Sequence, residues 1–260
     1  MKKILQNNLI LFWLFLFLLN KPLFSNQSNS IYIQTYFANN TNKPFWMKSN
    51  RWGVNPGNSI GLNFNYNSSK FNFLRFKGNI VKTDNDFQII EGNFSLAIKN
   101  YQIKIGKIKY LHGLPNHDLS SGSLILSKNA EPIPKILIEN IDPFIFEINT
   151  TKFLINAGLS HGMIEKGDYI SQPQIHEKWL YLKIKNNNLS LHLGLVHNAV
   201  FGGETNEFGL LPSTAVDFIR VFFVQNGDEN APQNENINSL GNHLGIWDLG
   251  LSINIKNYNF

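Results

Sequence analysis

Apolar and polar residues change places one by one over long stretches of this chain, and that pattern limits its fold more than any other feature. Leu189, Leu191, Leu193 and Leu195 are separated by Ser190, His192 and Gly194. Ile60, Leu62, Phe64 and Tyr66 alternate with Gly61, Asn63 and Asn65, and Leu74, Phe76 and Gly78 with Arg75 and Lys77. Tyr101, Ile103 and Ile105 alternate with Gln102 and Lys104, and the pattern returns from Trp179 or Leu180 through Ile184. Successive side chains of a strand point to opposite faces, so period two predicts strands with one apolar and one polar face. The separators Asn67–Ser69, Asp84–Asp86 and Asn186–Asn188 are turn chemistry, short enough for hairpins. Several of these strands run about nine to thirteen residues, against roughly 5–6 in ordinary sheets. A tilted strand crossing a membrane needs roughly 9–11 residues, so length favours a barrel in lipid.

The N-terminus reads as an export signal. Lys2 and Lys3 precede an apolar run of eleven residues, Leu9 to Leu19, and Ser25 offers a small residue for cleavage. A spanning helix needs roughly 17–25 residues, which the run does not reach. Residues 1–25 are therefore expected to be a signal peptide, with an uncleaved anchor helix as the alternative. They hold three lysines and no acid, so the formal charge falls from +5 for the whole chain to +2 for residues 26–260. That balance gives no electrostatic case for nucleic acid. The absence of cysteine excludes disulfides, thiolate metal sites and a thiol nucleophile. If residues 26–260 live in a membrane, a closed barrel is the architecture that satisfies every backbone group there.

Phe71, Phe73, Tyr101, Tyr110, Trp179 and Tyr181 fall near expected strand ends, where aromatic girdles of a barrel would sit. The alternative is a soluble sandwich with aromatics in its core. Two segments break the alternation. Residues 110–143 contain Pro115, Pro132, Pro134 and Pro143, too many for a central strand. Residues 213–224 place Val216, Ile219, Phe222 and Phe223 at helical spacing after Ser213 or Thr214 as a cap, predicting a short amphipathic helix in a loop or a plug. Asn226–Ser239 reads as an exposed loop.

Five ordered blocks carry a resemblance. They are PFWMKSNRWG from Pro44, LSSGSLILSKNAEPIPKILIE from Leu119, HEKWLYLKI from His176, FGG from Phe201 and GNHLGIWD from Gly241. Together the chain resembles the capsule assembly Wzi family over roughly residues 31–260. The resemblance implies an outer-membrane β-barrel, lectin-like and not catalytic, that attaches or organises capsular or exopolysaccharide at the cell surface. Glu131 departs from a position often basic in that family, and the family's barrels are larger, so residues 26–260 read as the N-terminal part of one. The ending Tyr258-Asn259-Phe260 resembles a barrel assembly signal, although Lys256 and Asn254 interrupt its alternation.

Sugar binding needs flat aromatic faces beside planar polar groups. Trp46, Asn50, Arg51 and Trp52 form one local cluster of these types, and Asn242, His243 and Trp247 a second; the alternative for each is packing in a plug or at a strand end. His112, His117 and Asp118 match no metal-site spacing, and Ser160–His161, His176–Glu177 and His197–Asn198 lack a nucleophile-elbow pattern. Gly202–Gly203 reads as a tight turn. The expected protein is all-β: an antiparallel transmembrane β-barrel in the outer membrane with one short helix. It has no catalytic residue, metal or cofactor, and its partners are surface polysaccharide, outer-membrane lipid and the barrel assembly machinery. A porin-type channel and a barrel hydrolase are the rival functions, and a helix inside the barrel would argue against the channel.

Overall fold

The computed structural model describes residues 29–37, 45–54, 57–68, 73–114, 119–165, 170–255 and 258–259. The export segment at 1–25 and the pair His117 and Asp118 lie outside them. In chain order the elements are β1 (Ser30–Tyr36), α1 (Phe45–Lys48), β2 (Ser59–Asn67), β3 (Leu74–Thr83), β4 (Phe87–Ile98), β5 (Tyr101–Lys107), β6 (Pro134–Asn140), β7 (Phe144–Ile148), β8 (Thr151–Met163), β9 (Gln174–Asn186) and β10 (Leu189–Phe201). There follow β11 (Glu204–Thr205), β12 (Gly209–Leu210), α2 (Ala215–Phe222), α3 (Gln233–Ile237), β13 (Asn242–Ile255) and β14 (Tyr258–Asn259). Twelve strands make one sheet in the order β1-β2-β3-β4-β5-β6-β8-β9-β10-β13-β14, with β7 on β8; β11 and β12 form a separate pair. Every pairing is antiparallel. β8, β9 and β10 each have 13 residues, at the top of the expected range, and β13 has 14, one beyond it, while β1, β5 and β6 have seven. Among the described residues no ladder joins β1 to β13 or β14, so the sheet is open where a closed barrel was expected. None of the described helices is long and apolar enough to cross a membrane.

The register separates two faces. Leu180, Leu195 and Trp247 lie opposite one another on β9, β10 and β13, as do Leu182, Leu193 and Leu249, and Ile184, Leu191 and Leu251. Ile33, Leu62 and Ile80 continue the same face on β1, β2 and β3. This apolar face is the exposed one: Trp247 is 77 % accessible, Leu249 72 % and Leu251 60 %. The opposite face is polar and buried, with Asn63, Asn79, Asn93, Lys135, Ser160, Glu177 and Asn198 all covered. A water-soluble sheet has the reverse arrangement, because apolar surface in water costs roughly 25 cal/mol per Å².

Two expectations need correction, and a third is met. β6 is a central strand inside the proline-rich 110–143 segment; Pro134 is its first residue, where a missing N–H is tolerated. Asn226–Ser239 contains α3, although it is mostly exposed. Helix α2 forms with Thr214 as its cap, the Thr214 side chain accepting from the Asp217 amide and the Asp217 carboxylate accepting from the Thr214 amide. Its spacing left open which side packs, and the structure decides it. Asp217 and Val221 are buried while Val216, Ile219 and Phe223 are exposed. The helix lies in the 202–241 connection, one of the two places expected for it, against the apolar face of the sheet with its Phe218 ring edge-on to His161 and His176.

Candidate functional site

What covers the polar face is the segment after β5. Ile108, Tyr110 and Ile125 pack on Leu137, Trp179, Val196 and Ile246 from β6, β9, β10 and β13. Between this segment and the strands lies a cleft of about 400 Å³, lined by Gln102, Tyr110, His112, Glu139, Asn156, Tyr181, Lys183 and His192. Two glycines shape it. Gly158 lies opposite Trp179 and Gly194 opposite Tyr181. A Cβ at Gly158 would come within 2.3 Å of the indole, and one at Gly194 within 2.2 Å of the phenol ring. Only a residue without a side chain lets these rings lie flat across the neighbouring strand.

Polar partners fix the rings. The Tyr181 hydroxyl donates to Asp248 at 2.8 Å and the Tyr110 hydroxyl to Glu139 at 2.7 Å. Glu139 also accepts from Lys104 at 2.9 Å and Gln102 at 2.7 Å. Burial, reinforced by the Glu139 carboxylate, pushes the Tyr110 phenol above its ordinary pKa and keeps it a donor. Trp179 is flanked by the rings of Tyr110 at 5.2 Å and His112 at 4.5 Å.

Beneath the cleft sits a charge with no access to water. Glu177 on β9 is 0 % exposed. Its carboxylate accepts from Lys135 at 2.5 Å, from Ser160, from His112 at 3.4 Å and from Asn198 at 3.5 Å. These partners come from β6, β8, the covering segment and β10, so one carboxylate ties four parts of the fold together. The alternation disposes of the adjacent pairs suspected of chemistry. Ser160 points to the polar face and His161 to the apolar one; Glu177 and His176 divide likewise. A Ser–His contact does occur between His192 and Ser252 at 3.0 Å, but Asp248, further along β13, takes the Tyr181 hydroxyl instead of holding that imidazole. No group of three or more metal-ligating side chains converges among the described residues.

The first of the two clusters singled out in the sequence is partly convergent. Asn50, Arg51 and Trp52 line a second cleft of about 230 Å³ on the polar face, with Tyr32, Tyr36 and Lys109. The Arg51 guanidinium donates to Ser59 at 2.5 Å and lies 4.3 Å from the centre of the Tyr36 ring. The loop is locked to the segment before β6: the Asn50 amide donates to Asn129 at 2.6 Å and the Trp52 amide to the Lys128 carbonyl at 2.5 Å. Gly53, with φ +76°, presses on the Glu131 backbone so closely that a Cβ would sit 2.8 Å from its nitrogen. Two of the sequence blocks thus meet here, and Glu131 is engaged by Lys107. Trp46 belongs to α1, and its side chain lies outside the described residues. The second cluster does not converge. Asn242 projects to the polar side, whereas His243 and Trp247 stand on the apolar face, His243 against His197 at 2.9 Å.

The girdle expectation also fails for most of its members. Tyr110, Trp179 and Tyr181 are cleft residues, Phe73 is buried, Phe71 is outside the described residues, and Tyr101 alone is exposed on the apolar face. The signal that could have placed them was parity: Trp179, Tyr181 and Lys183 share the register of Glu177, the polar side of β9.

These features define a class: a long-stranded antiparallel sheet whose exposed face is apolar and whose buried face is polar and carries clefts. The particular assignment comes from comparison. The sequence profile of the capsule assembly protein Wzi family matches residues 25–258, and the chain belongs to that family. Searches of curated proteins and of solved structures found no match.

Proposed function

We propose that this capsule assembly protein is an outer-membrane β-barrel, reached through a cleaved signal at 1–25, that holds surface polysaccharide without chemically altering it. The observation that carries the membrane reading is the inverted sheet. Rows such as Leu182–Leu193–Leu249 face outward while Glu177, Lys135 and Asn198 are enclosed, which is stable only where the surroundings are apolar. The cleft beside Tyr110, Tyr181 and His192 supports the binding reading. It falls within the roughly 300–1,000 Å³ of ordinary ligand sites and offers flat rings beside amides and charges, the groups that meet a pyranose. The rival channel is disfavoured by Ile108, Tyr110 and Ile125 packed on the polar face, not by α2.

Deleting the gene in an encapsulated host is expected to leave polymer synthesis intact while polymer is shed into the medium. The protein itself is expected in the outer-membrane fraction and to need detergent for release. Unchanged retention of polymer in the deletion strain would overturn the binding role. Recovery of the protein as a detergent-free periplasmic monomer would overturn the barrel.

A further inference from the structure

Helix α2 repeats in miniature the inversion of the sheet. Around its axis Ala215, Val216, Ile219 and Phe223 fill one continuous exposed sector without a charge. Its acid, Asp217, is buried against the Thr214 cap, and Arg220 is folded back onto Asp217 at 3.0 Å and Asp228 at 2.7 Å. The inner side of α2 covers the polar residues that interrupt the apolar face at this end of the strands. Phe218 lies edge-on to His161 and His176, Phe222 lies 5.1 Å from His176, and Lys178 donates to the Phe222 carbonyl with its ammonium over that ring. His176 is 0 % exposed as a result. One layer of helix thus covers a basic, histidine-rich stretch of the outward face and presents Val216, Ile219 and Phe223 in its place.

The end of the sheet is also fixed. By strand register, the strand ends joined by 37–58, 108–133, 164–173 and 202–241, and by the short turn 84–86, are at the α2 end, whereas 68–73 and the tight turns 99–100 and 187–188 join ends at the opposite edge. Long loops of outer-membrane barrels are extracellular and short turns periplasmic. We propose that α2 is an interfacial anchor whose Val216, Ile219 and Phe223 enter the boundary between headgroups and acyl chains in the outer leaflet. The inference rests on the membrane reading above and adds a lipid contact that the strands do not supply; amphipathic helices at such boundaries bury their apolar side by about 5–10 Å.

The chain has no cysteine, so single-cysteine variants carry one fluorescent label each. Ile219→Cys and Phe223→Cys report on the helix, Leu249→Cys on the sheet and Glu229→Cys on an exposed loop. The full chain is reconstituted in phospholipid vesicles with nitroxide-labelled acyl chains, and quenching by the nitroxide is compared with quenching by aqueous iodide. The expected result is strong nitroxide and weak iodide quenching at 219, 223 and 249, reversed at 229. Nitroxide quenching at 249 with iodide quenching at 219 and 223 overturns the anchor and leaves the barrel standing. Protection of 219 and 223 from both quenchers also overturns the anchor, in favour of a protein covering the helix. Iodide quenching at 249 as well overturns both readings.

Discussion

Removing Lys135 alone should be among the most damaging single changes available in this fold. The Lys135 ammonium lies 2.5 Å from the Glu177 carboxylate, and both side chains are almost wholly enclosed. At an effective dielectric constant near 20, charges at that distance attract by about 7 kcal/mol before desolvation is counted. Lys135→Met leaves the carboxylate with Ser160, His112 and Asn198, of which the last two are at 3.4 and 3.5 Å. An uncompensated buried charge of this kind costs about 3–5 kcal/mol. Glu177→Leu strands the ammonium and should cost a similar amount. The double variant leaves no buried charge and loses only the bonds of neutral partners such as Ser160 and Asn198, about 1–2 kcal/mol. The singles together should therefore exceed the double by about 6 kcal/mol, well above the roughly 0.5–3 kcal/mol of ordinary neighbouring pairs. The assay is urea unfolding of the protein in lipid vesicles, followed by tryptophan fluorescence, with Trp179 4.5 Å from His112 as a local reporter. Singles costing below about 1 kcal/mol, or a double equal to their sum, would refute the claim that this pair is sealed from water.

The cleft makes its own demands. If the cleft holds polymer as proposed, Gly194→Ala should lift the Tyr181 ring off β10 and lower affinity for capsular polymer by about tenfold, or 1.4 kcal/mol, in a binding isotherm, while Gly245→Ala, with only ordinary contact at that position, should leave it unchanged. Thr214→Ala removes the capping box of α2 and should destabilise the helix by about 1 kcal/mol, read as faster amide exchange over 215–222 and restored by Thr214→Ser. The Arg220 guanidinium and the Asn230 amide hold Asp228 below the ordinary carboxylate range. Its contribution is therefore present above the unfolded value of about 4 and lost as pH falls through the lower folded value, so exchange over 226–239, corrected for intrinsic rate, should rise on acidification and show no such rise in Asp228→Asn.

How far the sequence could be read follows from what period two encodes. It reports that a strand has two unlike faces, and it located β2 and β5 to within two residues and the start of β10, whose last six residues it missed. It does not say which face meets solvent, and that came from strand length and from the family blocks. Pro134 misled because proline excludes only the interior of a central strand, and this one begins the strand. The apolar spacing of Val216, Ile219 and Phe223 was legible, but the medium it faces was not: a stripe at helical spacing fits a protein core and a lipid boundary equally. In the site, Asn50, Arg51 and Trp52 were legible because they are adjacent in the chain. Tyr110, Glu139 and Tyr181 were not, because three separate elements bring them together.

The family blocks gain a physical meaning from the fold. Gly53 and Trp52 of the first press against Lys128 and Glu131 of the second; Glu177 of the third draws in Lys135 of the second; Phe201 of the fourth packs with Leu240 at the entrance to the fifth, where a Cβ on Gly241 would sit 2.9 Å from that of Phe201. Every block therefore holds a long connection or a neighbouring strand against the end of the sheet at which α2 also lies. On the proposed membrane reading, the sheet gains little from burying its own apolar residues, since those face outward already. What must be specified residue by residue in such a protein is the polar interior and the rim, and it is there, in Arg51, Lys135, Glu177 and the glycines that let rings and backbones approach, that the recognisable sequence is concentrated.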